Sequence, residues 1–190
     1  LLETVQQHFA ERLSSFELVS AFALDLSSAH IQTAKPIDAP WHVLLELTDS
    51  TDNTMLKDQL TECLLDAGFE NAVLAESDQQ REQLWALREN ISEAQKIEGF
   101  SIKHDISVPI SRLSEFVERA DTALEQLFPG IRIVTFGHVG DGNFHVLLLV
   151  DPDRPEDRER AEAVNTRIVE RALAMDGTAS GEHGVGLHKM

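Results

Sequence analysis

The 190-residue chain is long enough to bury a core, and its 42% apolar content is ordinary for a globular protein. Its 16 Lys and Arg against 33 Asp and Glu give a net charge of −17, which excludes a surface built to neutralise nucleic-acid phosphates and fits an anionic membrane poorly. A single cysteine, Cys63, rules out an internal disulfide and a cysteine-rich zinc site, and no apolar run approaches the roughly 18 residues of a membrane span.

The chain opens on Leu1-Leu2-Glu3-Thr4, without Met or a signal-peptide layout, and stops inside a glycine-rich motif at Met190. It is therefore expected to be a piece of a longer protein, with residues 1–190 forming one domain. Residues 1–30 read as helical and then ambiguous. Trp41–Leu47 reads as a buried strand following Pro36 and Pro40. Residues 52–67 predict an amphipathic helix closed by Gly68, with Cys63 on its apolar side, and 71–75 a short strand. The stripe Leu84, Leu87, Ile91, Ala94 predicts one long helix over 78–98, ended by Gly99.

Residues 100–108 alternate, with Phe100, Ile102, His104, Ile106 and Val108 on one face and Ser101, Lys103, Asp105 and Ser107 on the other; His104 reads as a core histidine. After Pro109, residues 111–128 predict a helix capped by Ser111, and Pro129-Gly130 a turn. Two strands, 131–138 and 143–150, precede a charged helix over 155–175 and a glycine-rich end. The order predicts an α+β fold, a mostly antiparallel sheet covered by helices on one face, ferredoxin-like in spirit.

Gly137-His138-Val139-Gly140-Asp141-Gly142-Asn143-Phe144-His145 is the most informative stretch. Asp-Gly between apolar runs predicts a two-residue hairpin turn, which sets His138 directly opposite His145, Phe136 opposite Leu147 and Val134 opposite Leu149. Two imidazoles so placed are either a packed pair bonded to backbone or ligands of one metal ion; the glycines around them favour the second. The segment 177–186 has four glycines but neither phosphate-loop nor dinucleotide spacing. It offers Glu182 beside His183, either a surface pair or a carboxylate ligand and a proton carrier. Arg88 and Ser92 lie one turn apart, and Lys103 two residues from Asp105; spacing alone allows surface salt bridges or a clamp for an anionic substrate.

Taken together, 137–145 and Ser180-Gly181-Glu182-His183-Gly184-Val185-Gly186 resemble the C-terminal domain of FAD-linked oxidases, the D-lactate, glycolate and D-2-hydroxyglutarate dehydrogenases with a vanillyl-alcohol-oxidase-type flavin domain. The resemblance extends to Leu84–Ala94 and Ser101–Pro109 and thus runs over 84–190. It implies that His138, His145 and Glu182 hold a divalent metal, often zinc or manganese, and that His183 is the general base. It further implies Arg88 on the C1 carboxylate, with Ser92 and Lys103 matching positions that hold the far carboxylate in the D-2-hydroxyglutarate branch. In that branch an Asn commonly stands where this chain has Leu147, so Lys103 and Leu147 point to different substrates; a dicarboxylate is placed slightly ahead of D-lactate or glycolate. The family's flavin domain lies N-terminal to this region, so FAD is expected to be bound mainly outside the chain, and the chain alone to bind no FAD and turn over nothing. The expected partner is a small 2-hydroxy acid; the expected location is cytoplasmic, and a homodimer is an allowed assembly. Two histidines and a carboxylate also suit a non-haem iron oxygenase or a metal-dependent hydrolase, and a non-catalytic acid-binding module is a further alternative.

Overall fold

Residues 1–50, 55–127, 130, 132–151 and 155–180 are described by the computed structural model. Five strands form one antiparallel sheet in the order β2-β1-β4-β5-β3, with β1 at Leu13–Ser20, β2 at Trp41–Leu47, β3 at Phe100–Ser107, β4 at Arg132–His138 and β5 at Asn143–Val150. The alternation read in the sequence becomes two cores, because successive side chains on a strand leave opposite faces. Phe16, Ile106, Phe144, Val146 and Leu148 pack on one face with Val5 and Phe9 of α1 (Leu2–Phe9), Phe116 and Leu124 of α6 (Leu113–Leu127) and Val164 and Ile168 of α7 (Pro155–Ala174). Val19, Val134, Phe136, Leu147 and Leu149 pack on the other, against Ala23 and Leu24 of α2 (Ala21–His30), Leu87 of α4 (Asp78–Glu89) and Ile91 of α5 (Ile91–Glu98). The α+β sheet is as expected, but helices cover both faces rather than one. His104 and Cys63, of α3 (Leu56–Asp66), are buried, and burial pushes the Cys63 thiol up.

Other expectations change locally. The single helix over 78–98 is two helices meeting at Asn90, whose ψ of 0° leaves helical geometry; the Ala86 carbonyl accepts from both its backbone N–H and its side-chain amide. Residues 71–75 form no strand: Val73 and Leu74 are exposed, and among the described residues no strand pairs with them. A short 3-10 turn over Ile110–Arg112 stands where Ser111 was expected to cap a helix, and α6 starts at Leu113. The predicted starts of helix 52–67 and strand 131–138, and Pro129 of the predicted turn, lie outside the described residues. Among the described residues, no helix is long and apolar enough to cross a membrane.

The hairpin departs from the two-residue turn. Such a turn of the expected type needs positive φ at both central residues, and here only Gly142 has it, at 68°. Val139–Asp141 instead form a 3-10 turn, with the Gly142 N–H donating to the Val139 carbonyl and the Val108 N–H to the Gly142 carbonyl. Pairing resumes with Phe136 opposite His145, Val134 opposite Leu147 and Arg132 opposite Leu149, two residues away from the predicted register. A two-residue shift keeps every side chain on its face, so His138 and His145 still share one, now diagonally.

Gly137 is required by close approach rather than by ligand access. A Cβ there would stand 2.3 Å from the Asn143 carbonyl oxygen and 2.8 Å from the Phe144 Cα. Gly137→Ala is expected to destabilise the protein by about 2–3 kcal/mol, read as a lower urea midpoint with unchanged slope; a shift under about 0.5 kcal/mol would contradict this packing.

Candidate active site

The face carrying α2, α4 and α5 also carries the polar residues of interest. Across β1 and β4, Glu17 stands opposite His138; across β3 and β5, Asp105 stands opposite His145. Both carboxylates are buried, Glu17 at 4% and Asp105 at 5% exposure. Neither is a candidate site residue in the sequence: Glu17 lies in the ambiguous stretch, and Asp105 enters as a polar-face residue and a surface partner for Lys103.

Glu17 divides its carboxylate. Oε2 accepts from Arg88 Nε at 2.7 Å, and Oε1 meets His138 Nδ1 at 2.5 Å. The Arg88 guanidinium also lies over the Phe136 ring at 4.6 Å, and Phe136 in turn packs on His145 with ring centroids 5.1 Å apart. Arg88 is always charged, and its planar fork suits a carboxylate on one edge and an aromatic face below. Its partner is thus 71 residues away in sequence, not a neighbouring glutamate on its own helix.

The two imidazoles stand 6.2 Å apart, centroid to centroid, with ring planes at 83°. His145 Nδ1 lies 3.8 Å from Asp105 Oδ1, within ion-pair range but beyond a direct hydrogen bond. Each histidine therefore turns Nδ1 toward a buried carboxylate, the arrangement that orients metal-bound histidines and makes Nε2 the coordinating atom. Two rings sharing a tetrahedral ion at about 2.1 Å per nitrogen have centroids roughly 5.3 Å apart, so at 6.2 Å the pair is set wider than such a site and would close on an ion by a small ring movement. No group of three possible ligands occurs among the described residues, and the expected third ligand, Glu182, lies outside them together with His183. Thr178 bridges to Ser107 at the end of β3 through two backbone hydrogen bonds.

Of the three expected substrate contacts, only Arg88 is brought to the histidines. Ser92 lies beyond the break at Asn90, on α5 rather than on the helix of Arg88, and is exposed. Lys103 is exposed on β3, opposite the buried Leu147, whose side chain fills the apolar cluster beneath α4 and α5. Lys103 lies close enough to Glu93 to help hold its carboxyl below the usual range, although Lys96 dominates that effect.

Removing one member of a buried ion pair leaves the other charge stranded. Glu17→Leu is expected to cost about 3–5 kcal/mol in urea unfolding, and Glu17→Leu with Arg88→Met distinctly less. A double variant as unstable as the sum of its singles would show that the pair is not coupled.

The model of the family described as FAD linked oxidases, C-terminal domain, matches residues 1–190. The chain is 31% identical over 196 residues to the mitochondrial D-2-hydroxyglutarate dehydrogenase of Danio rerio, covering all of this chain and 36% of that protein. It is 33% identical over 185 residues to the D-2-hydroxyglutarate dehydrogenase of Stutzerimonas stutzeri (strain A1501), covering 93% of this chain and 39% of the other. A probable D-lactate dehydrogenase of Danio rerio is 37% identical over 127 residues, 65% of this chain and 25% of that one. The chain thus spans well under half the length of these relatives. In fold it is similar to 4-ethylphenol oxidase from Gulosibacter chungangensis, with a TM-score of 0.53 at 14% identity over 95% of this chain and 42% of that one. The chain belongs to the FAD linked oxidases, as their C-terminal domain.

Proposed function

We propose that the chain is the substrate- and metal-binding part of a flavin-dependent oxidoreductase that oxidises a D-2-hydroxy acid to the 2-oxo acid. The observation that carries this is the pair His138 and His145 on one sheet face, each with Nδ1 turned to a buried carboxylate. The names of the relatives supply the substrate class and favour D-2-hydroxyglutarate over D-lactate or glycolate, since the D-2-hydroxyglutarate dehydrogenases align over nearly the whole chain.

In this proposal His138, His145 and Glu182 hold a divalent ion, zinc or manganese. When bound, the ion would supply a Lewis acid for the substrate's 2-hydroxyl, and FAD, held mainly by the remainder of the parent protein, would supply the hydride acceptor. His183 takes the hydroxyl proton. Arg88, fixed through Nε by Glu17 and by the Phe136 face, has its two terminal amino groups to offer the C1 carboxylate. Lys103, with Ser92, would meet the far carboxylate of a dicarboxylate, while Leu147 forms apolar lining. The parent enzyme passes its electrons to an external acceptor, in the cytoplasm or, as the name of the Danio rerio relative says of that protein, in the mitochondrion.

With a dye acceptor, the full-length parent is expected to oxidise D-2-hydroxyglutarate ahead of D-lactate and glycolate. Chelation should abolish turnover until zinc or manganese is restored, and His138→Ala should lower kcat/KM at least about 100-fold. Indifference to both chelator and His138→Ala would overturn the metal assignment. Lys103→Ala is expected to raise KM for the dicarboxylate about tenfold and to leave D-lactate unaffected. An equal rise for both acids would remove Lys103 from the far-carboxylate role.

A further inference from the structure

Asn143 opens β5 two residues before His145 and so shares its sheet face. It is 3% exposed, yet neither its Oδ1 nor its Nδ2 has a hydrogen-bond partner among the described residues. Buried carboxamides are almost always bonded, because water has been lost and nothing has replaced it. Relaxation of the strand does not offer an escape. The Asn143 carbonyl is pressed against Gly137, where even a methyl group would not fit, and Asn143 pairs with Ser107 on the opposite side. The amide is thus pinned in a row that has His138 on one flank and the Ser107–Thr178 bridge on the other.

We propose that Asn143 is a substrate-binding residue: its Nδ2 donates to a carboxylate oxygen of the 2-hydroxy acid, and its Oδ1 accepts from the 2-hydroxyl in the resting complex, before the hydroxyl turns its one hydrogen to His183. The assignment rests on the hydroxy-acid chemistry proposed above. A carboxamide carries one acceptor oxygen and one nitrogen with two donor hydrogens on a single carbon, and a 2-hydroxy carboxylate carries the complementary set on adjacent carbons. The 2-oxo product keeps the acceptor for Nδ2 but has no hydrogen for Oδ1, so Asn143 binds substrate in preference to product. In the substrate-free protein the unmade bonds are a standing destabilisation, maintained because the ligand completes them.

Asn143→Leu in the full-length holoenzyme separates binding from structure, since leucine is close in size and needs no hydrogen bonds. KM for D-2-hydroxyglutarate is expected to rise about 10- to 100-fold, inhibition by 2-oxoglutarate to weaken less, and the urea midpoint of the substrate-free enzyme to hold or rise. Asn143→Ser, which keeps a small donor and acceptor, should recover part of the loss. An unchanged KM would overturn the assignment, and so would a lower midpoint, which would mean that the amide has a partner within the protein. If the unaltered parent oxidises no 2-hydroxy acid, the functional proposal and this assignment both fail; if it does and Asn143→Leu matches it, only this assignment fails.

Discussion

A single buried carboxylate, that of Glu17, holds the site together. It is the counter-charge that lets Arg88 be buried, and it meets His138 Nδ1 from the neighbouring strand. Neither task could be done by a neutral side chain: a guanidinium taken from water needs an anion, and an imidazole that is to coordinate through Nε2 needs an acceptor at Nδ1. Through Arg88 the same carboxylate reaches Phe136, and through Phe136 the ring of His145. Helix α4 is thereby tied to the sheet by charge as well as by Leu87, and the position of one histidine is linked to that of the other.

The sheet makes this possible by dividing its residues. On one face β4 and β5 contribute Ile133, Phe144, Val146 and Leu148 to the large core under α6 and α7. On the other, the apolar cluster under α2, α4 and α5 ends where Glu17, His138, His145 and Asp105 begin. The polar groups sit at the end of the strands where the hairpin turns, and the turn is braced by Val108. Rigid backbone on both sides of the histidines favours fixed ligand geometry over adaptable binding.

Much of this was legible in the residues. Strict alternation located β3, the Asp-Gly turn between apolar runs located β4 and β5, the apolar run located β2, and histidines seven positions apart on a hairpin fell on one face. The face survived even though the register did not, because a two-residue slip is invisible to a period of two. What resisted reading was long-range pairing. Nothing near Arg88 indicates that its partner is Glu17, and a lone Glu between Phe16 and Leu18 looks like any solvent-facing strand residue until β4 is placed beside it. Asn90 illustrates a different difficulty: an apolar stripe runs through it without interruption, and only its backbone, with ψ at 0°, reveals the break.

The strand order carries a consequence for where this domain can be divided. The recognisable motifs begin at residue 84, which invites the view that the preceding residues are dispensable. Yet β1 lies inside the sheet, between β2 and β4, and it holds Glu17. A polypeptide starting at 84 would keep both histidines and Arg88 but present β4 as a raw edge, its unpaired backbone open to other chains, with the guanidinium stripped of its anion. Such a truncation would retain every motif and lose the architecture that gives them meaning, and self-association would be its first symptom.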